Sequence, residues 1–231
     1  MVYLAVLLGI SLLIFQPRSH SAAASAVPAP VYRVKTSMPA IALTINVVWG
    51  TEFVPQMLSD LTQAHVTATF MVGGAWAEAH PQLIRDMKQA HMEIGNHGWN
   101  HPHPNQLSYQ ENLRQIERTN QVVQQIAGVI PHVFAPPYGE FNGTVLQASF
   151  ALHMPLVMWT IDTIDWRPSS SVPYMVAKVV KRAQPGAIVL MHPTSRTAVA
   201  LPQIIANLKS AGYQLVTVSQ LLAMGTPATD E

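Results

Sequence analysis

From residue 40 onward, short runs of β-branched and apolar residues alternate with stretches whose apolar residues recur at helical spacing. This alternation restricts the fold more than any other feature of the chain. The strand-like runs fall at 41–48, 67–72, 92–96, 132–135, 155–161, 187–191 and 213–216. Between them, 54–64 carries Met57, Leu58 and Leu61, 82–90 carries Leu83, Ile84 and Met87, and 203–211 carries Ile204, Ile205 and Leu208. A helix within 108–126 opens on Ser108-x-x-Glu111, the pattern of a capping box. Strands and helices alternating at these lengths form βαβ units and a parallel sheet. Segments 82–91 and 203–212 resemble each other because both end a helix and lead into a strand. Gly212 stands where a left-handed cap is expected, and His65 and His91 stand at the equivalent places, which makes them caps rather than ligands.

Seven such runs either spread into an open doubly wound sheet or close into a barrel. Asn46, His97 with His101, the turn Pro136-Pro137-Tyr138-Gly139, Asp162 with Asp165, and His192 each lie at or just past the C-terminal end of a different run. In a (β/α) barrel those ends share one face, where catalytic groups collect. No glycine-rich phosphate loop follows the first run, which speaks against a nucleotide-binding open sheet. The expected fold is therefore α/β, a TIM-like (β/α) barrel of about seven strands.

Charge is sparse, with 11% charged residues and a net charge of +1, and no basic stripe is present that could serve a nucleic acid. Absence of cysteine excludes thiolate metal sites, disulfides and cysteine nucleophiles. The apolar run 2–15 is shorter than the ~20 residues a membrane-spanning helix needs. With small residues following at 21–26, segment 1–26 reads as a secretory signal with Ala24-Ser25-Ala26 as cleavage site. No Lys or Arg precedes the run, so an uncleaved membrane anchor is the alternative. Either way the protein is expected to be exported, with 27–38 as a tether, a folded domain over 39–223 and a tail at 224–231.

Three groups of residues could carry chemistry. His97 and His101, four apart and followed by Pro102, supply either half a metal site or a packed, hydrogen-bonded pair. Asp162-Thr-Ile-Asp165-Trp166 could orient a histidine, bind metal, or form a turn beside a surface aromatic. His192, ending a buried run and followed by Pro193, is a candidate general acid or base; its structural alternative is a hydrogen-bonded interior histidine.

In order and spacing these residues resemble the polysaccharide deacetylase family, the NodB homology domain of carbohydrate esterase family 4, over about residues 39–223. The resemblance implies a distorted (β/α) barrel that removes acetyl groups from chitin-like or peptidoglycan sugars with a divalent metal, usually zinc. It implies that His97 and His101 bind metal, that Asp165 tunes the catalytic His192, and that Trp166 lines the groove. It further implies that Leu190 walls the acetate pocket, and that Tyr138, Pro136 and Asp162 contribute to substrate binding. Two motifs depart. At the family's Thr-Phe-Asp-Asp this chain reads Thr44-Ile45-Asn46-Val47, so the base carboxylate is an amide and the metal carboxylate a valine. At its Arg-Pro-Pro-Tyr-Gly this chain reads Ala135-Pro136-Pro137-Tyr138-Gly139. Loss of the arginine together with its partner carboxylate is coherent, since either alone would be an unpaired charge in a cleft. The runs 45–50, 135–137 and 159–166 are similar to those of a divergent, sporulation-associated branch known from spore-forming Gram-positive bacteria.

An asparagine cannot accept a proton near neutral pH, and general-base help is worth about 10²–10⁴ in rate. Two histidines fall short of the three protein ligands of a catalytic zinc; Asn46 oxygen, His103 or water would have to fill in. The chain is thus expected to be an atypical metal-dependent hydrolase of carbon–nitrogen, non-peptide bonds, acting on N-acetylated cell-wall glycan. The alternatives are a catalytically silent glycan-binding domain and a hydrolase with a rebuilt site for another carbon–nitrogen bond.

Overall fold

The computed structural model describes residues 28–229; the segment expected as signal or anchor, 1–26, lies outside them. Among the described residues eight strands, β1 (Arg33–Lys35), β2 (Ala40–Val47), β3 (Thr69–Val72), β4 (Glu93–Asn96), β5 (Ile161–Asp162), β6 (Ile188–Met191), β7 (Gln214–Val216) and β8 (Thr226–Ala228), accompany eight α-helices. The helices are α1 (Val54–Gln63), α2 (Gly74–Ala79), α3 (Pro81–Gln89), α4 (Tyr109–Ala127), α5 (Gly143–Ala151), α6 (Val172–Arg182), α7 (Ser195–Ser210) and α8 (Val218–Leu222).

β2 is the axis of the molecule, buried along its whole length as a parallel strand covered on both faces must be. Ile41, Leu43, Ile45 and Val47 face the helical layer, while Ala40 and Ala42 turn inward to meet Met71, Val133, Val157, Ile188 and Val216. The sheet order is β4-β3-β2-β6-β5, all parallel, with β7 paired to the first residues of β2. Beyond β4, Phe134 bridges Asn96 on one side and Leu156 on the other, and the run through 156–157 leads on to β5. The ring thereby closes as a distorted barrel.

The runs expected at 132–135 and 155–161 are reduced to bridges at Phe134, Leu156 and Val157, with a two-residue β5. Their place at the N-terminal end is taken by a segment the sequence reading assigned to a tether. Val31 bridges Val157 and Arg33 bridges Ala187, and β1 pairs antiparallel with β8. The reading of 27–38 as tether and 224–231 as tail is therefore corrected at 33–35 and 226–228, whose pairing makes them part of the packed domain. Val31 and Val34 are buried, and that burial, which short unpatterned segments do not advertise, holds them.

Elsewhere local chemistry sets the element ends. His65, His91 and Gly212 adopt the left-handed conformation (φ 54°, 58° and 85°) at the ends of α1, α3 and α7, as their positions implied. Ser108 and Glu111 form the reciprocal capping box of α4. Helix α7 begins eight residues before the periodic stretch at 203, capped by Thr194, and carries Pro202 in its interior. A proline there costs about 3 kcal/mol, which the burial of Leu201, Ile204, Ile205 and Leu208 against the sheet offsets.

Candidate active site

The C-terminal ends of the strands surround a cleft of about 430 Å³ lined by Asn46, Val48, Trp49, His97, His101, Tyr138, Gly139, Trp159, Asp162, Trp166, Leu190 and His192. Residues separated by up to 146 positions thus meet as the barrel reading required. Of the expected site residues, Asp165 and Pro136 do not line it. Asp165 lies directly behind His192. Pro136 is buried and precedes the 3₁₀ turn Pro137–Gly139 that carries Tyr138.

One half of the site is intact. The wholly buried Asp165 accepts from His192 Nδ1 at 2.8 Å and from the His192 backbone N–H at 2.6 Å, and Thr197 Oγ1 donates to it at 2.7 Å. A carboxylate only accepts, so the His192 proton sits on Nδ1 and the Nε2 lone pair is left for the cleft. Trp49 stacks on the His192 ring at 5.9 Å between centroids. The corner that delivers Asp165 is strained: Ile164 holds φ 56°, an outlier for a β-branched residue. Asp162 accepts from the Ile164 N–H at 2.6 Å and from Trp166 Nε1 at 3.3 Å, and Arg196 donates to the carbonyls of Asp165, Arg167 and Pro168. His101 and Tyr138 also have positive φ (56° and 59°), so three strained residues border one cleft, the pattern of functional sites.

The other half is changed. His97 Nδ1 donates to the Ala135 carbonyl at 2.7 Å, so Nε2 carries the lone pair, and the Asn46 amide Nδ2 meets it at 3.4 Å. Burial holds the His97 pKa down to about 3, against the opposing pull of the Ala135 carbonyl, with the His101 and His192 charges adding to the lowering. Burial and the neighbouring His192 and His103 charges also lower His101. Both rings are neutral at physiological pH, 5.0 Å apart in an edge-on arrangement. Asn46 Oδ1 is buried without a hydrogen-bond partner. Val47, the position of the family's metal carboxylate, points into the helix-facing core with no exposure and does not reach the cleft. His103 stacks on Tyr138 and turns Nδ1 to Glu140 at 3.1 Å, away from the site.

The donors on this half of the cleft are therefore two imidazoles and a carboxamide. Among the described residues no three of His, Cys, Asp and Glu are gathered to hold a metal. Beside the His97 and His101 imidazoles stands only the weakly coordinating Asn46 carboxamide, which falls short of the three imidazole, thiolate or carboxylate ligands that hold a catalytic zinc. What the cleft offers is an apolar floor at Leu190, an orphan acceptor at Asn46, an oriented imidazole at His192 and three exposed aromatic rings: Trp49, Tyr138 and Trp166, 47%, 54% and 53% exposed. Trp49, Trp159, Thr197 and Arg196 carry parts the sequence reading gave to no residue. Trp49 and Trp159 fall within 45–50 and 159–166, where spacing gives an aromatic no distinct role; nothing in the sequence marks Thr197 or Arg196, whose shared partner Asp165 is 32 and 31 residues away.

A family model described as polysaccharide deacetylase matches residues 33–157. The chain belongs to the polysaccharide deacetylase family. YlxY of Bacillus subtilis is 39% identical over 196 residues, covering 84% of this chain and 61% of that protein. The peptidoglycan-N-acetylglucosamine deacetylase PgdA of Listeria monocytogenes is 35% identical over 183 residues, 78% of this chain and 38% of its own length. The chain thus spans less than two thirds of these two relatives. Among solved structures, a CE4-family pseudoenzyme from Bacillus anthracis superposes with a TM-score of 0.81 at 37% identity, covering 84% of this chain and 69% of that one. A mutant of that pseudoenzyme with restored enzymatic activity matches equally well, with a TM-score of 0.81 at 36% identity. The polysaccharide deacetylase barrel, distorted as the resemblance implied, is the fold of this chain.

Proposed function

We propose that this polysaccharide deacetylase domain recognises N-acetylated cell-wall glycan, of the peptidoglycan or chitin-like type, in a cleft whose metal-and-base half has been dismantled. The observation that carries the reading is Asn46: its amide N–H faces the His97 lone pair, and its oxygen is a buried acceptor that a sugar hydroxyl or acetamido N–H would satisfy. The exposed faces of Trp49, Tyr138 and Trp166 supply stacking surface for sugar rings. Similarity to a peptidoglycan deacetylase supports the choice of glycan, and similarity to a family pseudoenzyme supports the loss of turnover. The runs 45–50 and 159–166 support a sporulation-associated setting on the outer side of the cell membrane.

One observation favours a second reading, slow hydrolysis of the acetamide. His192 is held by Asp165 as a general acid is held, and a single imidazole can serve as base and then as acid. Acetate release separates the two. Incubated with N-acetylglucosamine oligomers and peptidoglycan fragments, with and without added zinc, the protein is expected to bind ligand and release no acetate. Zinc-stimulated acetate release that disappears in His192→Ala would replace the first reading by the second.

A further inference from the structure

The net charge of +1 hides an uneven distribution. From 166 to 229 the chain carries Arg167, Lys178, Lys181, Arg182, Arg196 and Lys209 and neither Asp nor Glu, whereas 28–165 carries more acids than cations. Arg196 and Lys209 donate to backbone carbonyls. The other four gather on one flank of α6 and the corner before it. Tyr174, Lys178, Lys181 and Arg182 follow one another at helical spacing along about 12 Å of the helix, at 1.5 Å per residue. Arg167 lies over the Trp166 ring, 4.7 Å from its centre, and its charge reaches Lys178, as does that of Arg182. Among the described residues none of the four pairs with a carboxylate. Asp162, whose charge Lys178 also feels, accepts instead from the Ile164 N–H and Trp166 Nε1. The sequence shows no basic run here because Arg167 stands 11 residues before Lys178.

Like charges held together without counter-charges repel, and an anion among them relieves the repulsion. Burial lowers the Lys178 pKa, Asp162 opposes the lowering, and the Arg182 and Arg167 charges add to it. Lys181 and Arg182 also complement the C-terminal end of α6, which accounts for their sign but not for Lys178 in the helix middle or Arg167 outside it. We propose that this flank of α6, with Arg167, is a docking surface for a linear polyanion bearing phosphodiester groups, a chain of polyol phosphates rather than a nucleic acid. The cations stand in a row, which matches a chain and not the plane of a membrane. Arg167 and Arg182 present planar forks that suit phosphate oxygens, and Lys178 and Lys181 supply point charges. Tyr174, 50% exposed, offers apolar surface to the polyol carbons. As the single aromatic in the row it gives successive bases no platform to stack on, and the small net charge gives no long-range pull on a duplex. Uncharged glycan has no need of this surface, so the inference stands apart from the glycan-binding reading above.

The test is calorimetric titration of poly(glycerol phosphate) into the full chain at about 50 and about 200 mM salt. Wild type is compared with the double variant Lys178→Gln/Lys181→Gln and with Arg85→Gln, which removes a charge from α3 instead. Wild type is expected to bind and to lose roughly 15- to 50-fold in affinity between the two salt concentrations, the dependence of about three to four phosphate contacts. The double variant is expected to bind about tenfold or more weakly at the lower salt and to lose only roughly three- to sevenfold on the same change. Arg85→Gln should stay within about twofold of wild type, because it leaves the row on α6 intact. Absence of binding at the lower salt, or equal binding by wild type and the double variant, overturns the proposal. So does duplex DNA, or phosphatidylglycerol vesicles, bound as tightly through the same two lysines. Should the double variant fail to fold, Lys181→Gln/Arg182→Gln, on two exposed side chains, decides in its place.

Discussion

At the residue scale the account turns on position 46, where an amide replaces a carboxylate at nearly the same size. Asn46 can donate to the neutral His97 and cannot take its proton, so this contact is made without charge in a buried place, with Asn46 Oδ1 left unpartnered. Asn46→Asp puts an anion there. It is expected to raise the His97 pKa well above 3 and to tighten zinc binding by about tenfold or more, the worth of one charged contact; calorimetry with zinc checks it. Unchanged zinc affinity would mean that the His97 lone pair is not available to the cleft. His97 also predicts a pH dependence of folding. Its folded pKa lies below the ordinary value of 6.5, so the unfolded state binds the extra proton between pH 6.5 and about 3. The stability that goes with a neutral His97 is present above pH 6.5 and is lost as pH falls toward 3, by an amount on the order of a few kcal/mol. Urea unfolding of wild type and His97→Gln across pH 4–7 should show a shallower decline in the variant; parallel curves would contradict the assignment.

At the element scale the least legible parts of the chain are the ones that finish the barrel. β2, β3 and β6 announce themselves because burial on both faces demands largely apolar runs. β1 and β8 are three residues each and polar in part, so only their partners define them. Gly186 is where β1 meets β6: it has φ 79°, it accepts from the Val34 N–H, and a Cβ there would lie 1.7 Å from the Val34 carbonyl oxygen. Gly186→Ala is therefore expected to cost at least about 3 kcal/mol and to expose 31–35 to proteolysis before the rest of the domain. Limited proteolysis with intact-mass readout checks this, and a variant as resistant as wild type would mean that the β1–β8 pair is not held through this contact. The site itself was legible in its histidines and acids, which spacing marks. It was illegible at Thr197 and Arg196, whose roles follow only from packing α7 against the corner at 162–166, and at Trp49, which looks like any exposed aromatic until His192 arrives beneath it from the far end of the chain.

At the scale of the whole molecule, the barrel gathers exposed aromatic rings and an oriented imidazole into one cleft, beside a donor set without a carboxylate. The strained residues at 101, 138 and 164 each cost stability, about 1–3 kcal/mol apiece, and are supported by a scaffold that has no other evident use for them. On the glycan-binding reading proposed above, that strain shapes the cleft. The most direct measurement is calorimetric titration of N-acetylglucosamine oligomers into the protein stripped of metal by chelator. The account predicts saturable binding whose affinity is unchanged when zinc is restored. Binding that vanishes in chelator and returns with zinc would contradict it.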